Sequence, residues 1–219
     1  MSILQVKCPH TTLCRYVHIE AENPDTGLSI KVETERLKIL SVNSTQYADS
    51  LVKLYGDKDV NALVGNGSTL SEEDTHQKIQ RWIERWQKQN PLSGYVVITQ
   101  SGKFVGQIVL KPVKDKSGPE LTFLPNTIEI GYLSKKKRWG NGYGKEFTHA
   151  IIHHLVPFLI QMGYKVEDQP ITTIIATARP DNSASCHILE TFMHFMGKAF
   201  RYNGPRMWYQ HTYLQEQQS

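Results

Sequence analysis

The sequence predicts an α/β fold of the α+β type, with helices on both faces of a central mixed sheet. Segments in which apolar and polar residues alternate, typical of half-buried strands, are interspersed with segments whose apolar residues recur every three or four positions, typical of amphipathic helices. A glycine-rich segment, "RWGNGYGKE" at 138–146, separates one such strand from one such helix. Together these patterns predict the order β-α-α-β-β-β-α-β-α-β.

The predicted organisation is an N-terminal arm or hairpin at 1–32, a main domain at 33–214 and a frayed tail at 215–219. The first half of the main domain has a predicted strand at 34–42, a helix at 43–57, a helix capped by Ser71 at 71–90 and a hairpin at 94–113. The second half has a predicted long loop at 113–126, strands at 127–133, 171–178 and 206–214, a helix that Pro157 kinks or ends, and a helix after Pro180.

Composition excludes several classes of protein. The chain has 219 residues, 39% of them hydrophobic and 21% charged, which is ordinary for a globular domain. Its apolar stretches are too short to span a bilayer, and no basic start precedes an apolar block, so we expect no membrane partner and no secretory signal. Three cysteines without paired spacing (Cys8, Cys14 and Cys186) fit a cytoplasmic protein. A net charge of +4 does not indicate a nucleic-acid partner.

The glycine-rich segment has the features of an anion site. Glycines permit a positive φ and a close backbone approach, and the first N–H groups of the following helix have no intrahelical partners. We therefore expect the backbone of Asn141, Gly142, Tyr143 and Gly144 to bind a phosphate, with charge supplied by Arg138 and the lysines at 135–137. The alternative is that the glycines serve only tight packing of a strand against a helix.

The spacing does not match the common nucleotide motifs. The glycines follow the pattern GxGxG rather than the GxGxxG of dinucleotide sites. Lys145 is followed by Glu146, so the hydroxyl that a P-loop presents to magnesium is missing. A nucleotide-binding protein of another fold is nevertheless kept as one rival hypothesis.

The segments around the glycines also resemble a known family. "EIGYLSKKKRWGNGYGKEFTHAII", followed by "ARPDNSASCHILE", resembles the GNAT superfamily of N-acetyltransferases, and most of all its branch of ribosomal-protein N-terminal acetyltransferases. The matching positions are Glu129 to Tyr132, Trp139 to Gly144, and Asn182, Ser185, Leu189 and Glu190. The resemblance spans residues 33–212 and implies a mostly antiparallel, twisted sheet that is splayed at its middle.

The resemblance also implies the reaction and its partners. An acetyl group would move from acetyl-CoA to a primary amine by direct attack, without a metal. The acceptor would be a protein or peptide α-amine or a small-molecule amine such as an aminoglycoside or polyamine, and the protein a monomer or homodimer. The cofactor-binding residues that it implies are Leu133 (through a backbone N–H near it), Arg138, Trp139, Gly140, Asn141, Gly142, Tyr143, Gly144 and Asn182.

Two side chains are candidate catalysts. Glu129, on a strand among apolar residues, is the candidate base that takes the proton of the amine, although a water chain would also serve. Ser185 is the candidate acid for the leaving thiolate, because Leu189 occupies the position at which many superfamily members have tyrosine. The alternatives are a Glu on an open face of the strand, and a helix start at which Asn182 and Ser185 merely cap.

Three further features have simpler explanations. His149 and His153 have metal-ligand spacing, but the glutamate of an HExxH motif and a third ligand are missing. Trp82 and Trp86 are expected in the core, although one of them could border the acceptor cleft. The segment "LETFMHFMGKAF" lacks the glycine that the family has three residues after Glu190, which predicts an extended helix or an altered turn. The missing tyrosine at position 189 and this altered helix end leave an acyl-CoA-binding module without catalysis as the other rival.

Overall fold

The computed structural model describes residues 2–7, 16–22, 27–115 and 122–213. Cys8, Cys14 and the tail predicted at 215–219 lie outside the described residues. The predicted α/β fold is confirmed, because a large, mostly antiparallel sheet has helices on both faces.

Ten strands form one sheet in the order β1-β2-β3-β4-β5-β6-β7-β10-β12-β11, and β8 pairs with β9 in a separate ribbon. The strands are β1 Ser2–Lys7, β2 Tyr16–Glu22, β3 Ser29–Glu33, β4 Leu37–Ser41, β5 Gly94–Thr99, β6 Phe104–Asp115, β7 Thr122–Ser134, β8 Lys165–Val166, β9 Gln169–Pro170, β10 Thr173–Ala178, β11 His194–Arg201 and β12 Gly204–Thr212.

Six α-helices accompany these strands in the described part of the chain: α1 Ala48–Tyr55, α2 Lys58–Asn61, α3 Glu72–Gln87, α4 Tyr143–Ala150, α5 Val156–Gln161 and α6 Ser183–Phe192. The predicted cap of α3 is confirmed, since the Ser71 hydroxyl oxygen accepts the Asp74 N–H at 3.0 Å. The helix at Pro157 is neither broken nor ended there. A π-helical segment, Ile151–Leu155, joins α4 to α5 and precedes the proline, whose missing N–H therefore costs no α-helical hydrogen bond.

The sheet is splayed between β7 and β10. These two strands are parallel and pair over only three positions, from Thr127 with Thr173 to Glu129 with Ile175. Both strands continue, β7 to Ser134 and β10 to Ala178, while each stays paired with its other neighbour. The result is a gap in the middle of the sheet, bounded by two strand edges.

In the N-terminal segment, β1 and β2 pair antiparallel and continue the main sheet. β2 pairs with β3, and β3 pairs with β4. Val17, Ile19 and Ile30 are buried in the same core as β4 and β5. In the structure these strands therefore extend the sheet outward from β4.

Two predictions about the chain between elements are corrected by the structure. Both ends of the loop expected at 113–126 are strand, because β6 extends to Asp115 and β7 starts at Thr122. Of the two alternatives for the segment after Glu190, the helix extension is wrong and an altered turn remains, since α6 ends at Phe192 and β11 begins at His194. The β11–β12 hairpin thereby comes to lie beside Glu129.

Candidate active site

The glycine loop, residues 138–146, connects the end of β7 to α4. Gly140 and Gly142 have φ values of +74° and +75°, a left-handed conformation that other residues rarely adopt. Gly144 has an ordinary φ but packs closely, because a Cβ there would lie 2.6 Å from Ile188 Cδ1, the end of a side chain of α6. The conformation of Gly140 and Gly142 and the packing of Gly144 are thus separate reasons for glycine in this loop.

An ion pair that sequence reasoning missed anchors this loop. The Glu146 carboxylate, only 1% exposed, accepts a hydrogen bond from Arg36 Nε at 2.6 Å. The Thr34 hydroxyl and the Arg36 backbone N–H donate to its other oxygen, at 2.6 and 3.0 Å. Arg36 also donates to the Asn141 carbonyl at 2.9 Å and stacks over the Tyr143 ring. An isolated glutamate in a first helical turn gives no signal of such a distant partner.

The N–H groups of the first two loop residues are already used. The Arg138 N–H donates to the Lys135 carbonyl at 2.8 Å and the Trp139 N–H to the Lys136 carbonyl at 3.0 Å. The Trp139 ring is 41% exposed, and its Nε1 donates to the Ser134 carbonyl. Trp139 therefore offers an exposed ring, while its backbone N–H is already used. Arg138 Nε is buried and has no hydrogen-bond partner among the described residues.

The backbone N–H donor expected near Leu133 belongs to the residues on either side of it. The Lys135 N–H donates to Val105 of β6 at 2.9 Å, and Leu133 stands opposite Gln107 of the same strand. Because successive N–H groups of a strand point to opposite edges, the Leu133 N–H also points to β6. The N–H groups that face the gap belong to Tyr132 and Ser134.

Asn182 and Ser185 start α6 beside the gap. The Asn182 side chain caps α6 by accepting the Ser185 N–H at 3.1 Å, and it donates to the distant Leu63 carbonyl at 3.2 Å. The Ser185 hydroxyl lies 2.9 Å from the hydroxyl of Tyr132. Burial raises the pKa of Tyr132, and the hydrogen bond to Ser185 partly offsets this. Tyr132 is a functional candidate that sequence reasoning named only as part of a motif.

Glu129 is buried, 4% exposed, within a network of donors. Lys111 Nζ lies 3.2 Å and Arg201 Nη2 3.4 Å from its Oε2 atom, and the Tyr202 hydroxyl donates to Oε1 at 3.0 Å. Burial lowers the pKa of Lys111, but Glu129 and Tyr202 outweigh this effect and raise it above the ordinary value. Both oxygens of the candidate base are therefore occupied, and an incoming amine must displace or join these donors.

The β11–β12 hairpin supplies part of this network from a strained turn. Its two-residue loop consists of Tyr202 and Asn203, with φ values of +55° and +61°, as in a type I′ turn. A bulky aromatic residue is unusual in this conformation. Residues held in such strained backbone conformations are often found at functional sites. The turn places the Tyr202 hydroxyl on Glu129, with Lys111 and Arg201 over its ring.

Glu129 opens into the basic cavity, a cleft of about 1040 Å³ between α3, β6, β7, β10 and the β11–β12 hairpin. Trp82 lies in its wall, as the sequence allowed, whereas Trp86 is fully buried. The charged residues that line the cavity are Lys78, Arg81, Arg85, Lys111, Glu129 and Arg201. Its lining includes Thr177, which lies beyond the paired positions of β10 and on the edge of the gap.

The histidines on the π-helical segment form a cluster. The rings of His149 and His153 lie 5.0 Å apart, and His211 of β12 lies 5.2 Å from His153. Burial and neighbouring histidines lower the pKa of His153 to about 4, and burial and His149 lower that of His154 to about 4. Within the described ranges, no group of three or more side chains has the arrangement of a metal site.

The splayed sheet and the glycine-rich helix start define an α/β protein with a gap between β7 and β10 and two left-handed glycines before α4. A family model described as "Acetyltransferase (GNAT) domain" matches residues 36–192, so the chain belongs to the GNAT acetyltransferase family. The family that the motifs predicted is thereby confirmed. The protein is an acetyl-CoA-dependent N-acetyltransferase.

Three similar proteins illustrate the match. The Bacillus subtilis protein YkkB is 23% identical over 80% of this chain and 91% of its own length. An Aspergillus fumigatus enzyme, FsC-acetyl coenzyme A-N(2)-transacetylase, is 28% identical over 56% of this chain but only 51% of its own length. A solved structure of a ribosomal-protein α-N-acetyltransferase with coenzyme A shares the fold, with a TM-score of 0.61 and 15% identity over 82% of this chain and 95% of that one. None of the described helices is both long and apolar enough to cross a membrane.

Proposed function

We propose that the β7–β10 gap and the glycine loop together hold acetyl-CoA. The observation that carries this proposal is the early end of the β7–β10 pairing, which leaves the N–H groups of Tyr132 and Ser134 on a free strand edge. Such an edge can bind the amide groups of a pantetheine arm. Asn141 to Gly144 and the Arg138 side chain would hold the pyrophosphate at the start of α4.

Different residues around the gap would carry out the separate steps of acetyl transfer. Acetyl-CoA supplies an activated carbonyl, and attack by the amine forms an N–C bond and breaks the C–S bond. An N–H of β7 that faces the gap would stabilise the oxyanion. The hydroxyls of Ser185 and Tyr132 would donate a proton to the leaving sulfur, and Glu129, directly or through water, would receive the proton of the amine.

The acceptor amine would enter from the basic cavity, since Glu129 joins that cavity to the end of the paired segment. The acceptor is a protein or peptide α-amine or a small-molecule amine, and we place the reaction in the cytoplasm, where acetyl-CoA is available. The domain is proposed to span 33–214. A monomer is sufficient for the site, because all of the proposed roles belong to one chain.

The test is thermal unfolding with acetyl-CoA, desulfo-CoA, ATP or NAD, each at saturating concentration. A ligand that binds only the folded protein raises the midpoint, so acetyl-CoA and desulfo-CoA should raise it and NAD should not. Arg138→Gln should reduce the shift, whereas Lys103→Gln, in the exposed turn between β5 and β6, should not. A shift with ATP or NAD alone would contradict the proposed ligand.

Turnover separates an enzyme from a binding module. Purified protein with acetyl-CoA and a panel of amines should release coenzyme A, and Glu129→Gln should lower kcat by about 10-fold or more if Glu129 takes the proton. Binding of acetyl-CoA without turnover on any amine would favour the acyl-CoA-binding module instead.

A further inference from the structure

We propose that the acceptor of this enzyme is a primary amine that also carries carboxylate groups, either an acidic amino acid or the acidic N-terminus of a peptide. The inference rests on the proposed function, in which the acceptor enters from the basic cavity. The proposed acceptor is a peptide amine or a small-molecule amine. The inference restricts both classes to members that carry a carboxylate group.

The first observation is the balance of charge in the basic cavity. Its described lining contains five cationic side chains and one carboxylate, that of Glu129. The cations are Lys78, Arg81, Arg85, Lys111 and Arg201. They come from α3, β6 and β11, which are far apart in the sequence, so the cavity is not simply one solvated helix face.

The second observation is that the only carboxylate of the described lining is already paired. Glu129 lies within 3.4 Å of both Lys111 and Arg201. The three cations of α3 have no carboxylate within 4.0 Å among the described residues. Lys78 instead lies over the ring of Trp82, at 5.5 Å, and Arg85 donates to the Leu92 carbonyl at 3.2 Å. These charges are left for a ligand to neutralise.

The third observation is that these cations repel one another. Burial, together with the charges of Lys111, Arg81 and Arg85, lowers the pKa of Lys78 to about 8. An anion bound among them would remove this repulsion and favour the charged lysine. A second cation in the cavity would add to the repulsion.

The amine and the carboxylates of the acceptor would bind at opposite ends of the cavity. The amine belongs beside Glu129, the one anionic group of the described lining and the one next to the gap, while the carboxylates belong along α3. Trp82 and Phe200 provide apolar walls between them. Polyamines and aminoglycosides, which carry several positive charges, are poorly matched to such a surface.

The experiment compares acceptors of matched shape and different charge. The peptides Ser-Asp-Glu-Ala, Ser-Asn-Gln-Ala and Ser-Lys-Arg-Ala are one series, and aspartate, asparagine and spermidine are the other. We expect kcat/KM at pH 7 to be about 10-fold higher for the acidic than for the neutral member of at least one series. A larger preference in the first series would identify the acceptor as a peptide. A larger preference in the second series would identify it as a free amino acid.

Variants on one helix connect the preference to the cavity. Arg81→Gln should reduce the preference for the acidic member by about threefold, because four of the five cations remain, and Arg81→Glu should reduce it further. Lys88→Gln, at the exposed end of the same helix and outside the cavity lining, should leave the preference unchanged. The midpoint shift with acetyl-CoA should be the same in all three variants.

The outcomes separate the two proposals. Turnover of neutral or basic acceptors in preference to acidic ones would overturn the present inference and leave the acetyltransferase assignment intact. If acetyl-CoA binds but no panel member is acetylated, the acidic members must still bind the CoA complex more tightly than the neutral ones in calorimetric titrations, and equal or absent binding would overturn it. A protein that does not bind acetyl-CoA would refute the proposed function itself.

Discussion

The glycine loop and the basic cavity are built from the chain in opposite ways. The glycine loop comes from nine consecutive residues, 138–146, and it offers mainly backbone groups to a ligand. The basic cavity is assembled from α3, β6, β7, β10 and the β11–β12 hairpin, and it offers side chains. In the proposed function the first would bind acetyl-CoA, and the second would select the acceptor.

This difference explains which residues determine each function. A backbone site depends on conformation, so its critical residues are the glycines and the anchor that fixes their position. A side-chain site depends on charge and shape, and a change in one distant segment alters it. Substitutions in the two regions should therefore have separate effects on cofactor binding and on acceptor choice.

The largest effect is expected from the anchor of the glycine loop. Arg36→Ala should lower the free energy of unfolding by about 2–4 kcal/mol, because it leaves the buried Glu146 carboxylate without its cation. Urea unfolding measures this loss, and Lys38→Ala is the control, since its 3.7 Å contact with Glu33 is long and partly exposed and contributes about 0.5 kcal/mol or less. Equal losses in the two variants would contradict an anchoring role.

The next effect concerns the pair of hydroxyls beside the gap. Ser185→Ala and Tyr132→Phe should each lower kcat by about 10–100-fold, and the double variant should lose little more than either single one, because the two hydroxyls act as one donor. The KM for the acceptor should change little. Steady-state kinetics on the three variants measures this, and losses that multiply would show that the hydroxyls act independently.

The same difference between local and assembled regions separates the features that the sequence predicts from those that it does not. The glycine loop, the cap at Ser71 and most strands were predictable, since each is a local pattern of adjacent residues. The Arg36–Glu146 pair, the Tyr132–Ser185 contact and the cations around Glu129 were not. Each joins segments dozens of residues apart, and no single-sequence pattern links them.

The hairpin shows why the cavity was missed. "HFMGKAFR" has too weak an alternation to be recognised as β11 so soon after a helix, and Tyr202 is an unexpected residue for a left-handed turn. Without that hairpin, Glu129 lacks Arg201 and Tyr202 as partners and the cavity has no far wall. The pattern after Glu190 therefore did not reveal the wall that this hairpin adds to the cavity.

Acid should destabilise the helix behind the glycine loop. The pKa values of His153 and His154 are lowered to about 4 in the folded protein, from about 6.5 in the unfolded chain. The unfolded chain therefore binds more protons between these values, and stability is lost as the pH falls from 6.5 towards 4. We expect a loss of about 1–2 kcal/mol, after allowance for partial exposure. Urea unfolding from pH 7 to 4.5 measures it, and His153→Asn should flatten the profile.

A smaller effect is expected from the conformation of the loop itself. Gly142→Ala forces a side chain into φ +75° and should cost about 1 kcal/mol of stability. Gly102→Ala is a matched control, because Gly102 has φ +81° in an open turn away from the site. Both variants should lose similar stability, but only Gly142→Ala should weaken acetyl-CoA binding, by about 3–10-fold. Equal affinities in isothermal titration would show that the loop backbone does not contact the ligand.

The smallest predicted effect is a change in the KM for an acidic acceptor, caused by Lys78 in the basic cavity at high pH. Lys78 has a pKa of about 8, lowered by burial and by neighbouring cations, so it loses its charge as the pH rises from 7 to 9. The KM for an acidic acceptor should then rise about threefold, since one of several cations is lost, while the KM for acetyl-CoA stays constant. Lys78→Arg, which remains charged throughout, should abolish the rise, and Lys78→Gln should show the high KM at both pH values. If KM for the acidic acceptor is instead flat in the wild-type enzyme, Lys78 does not contact the acceptor, and the anionic group must bind nearer to Arg81 and Arg85.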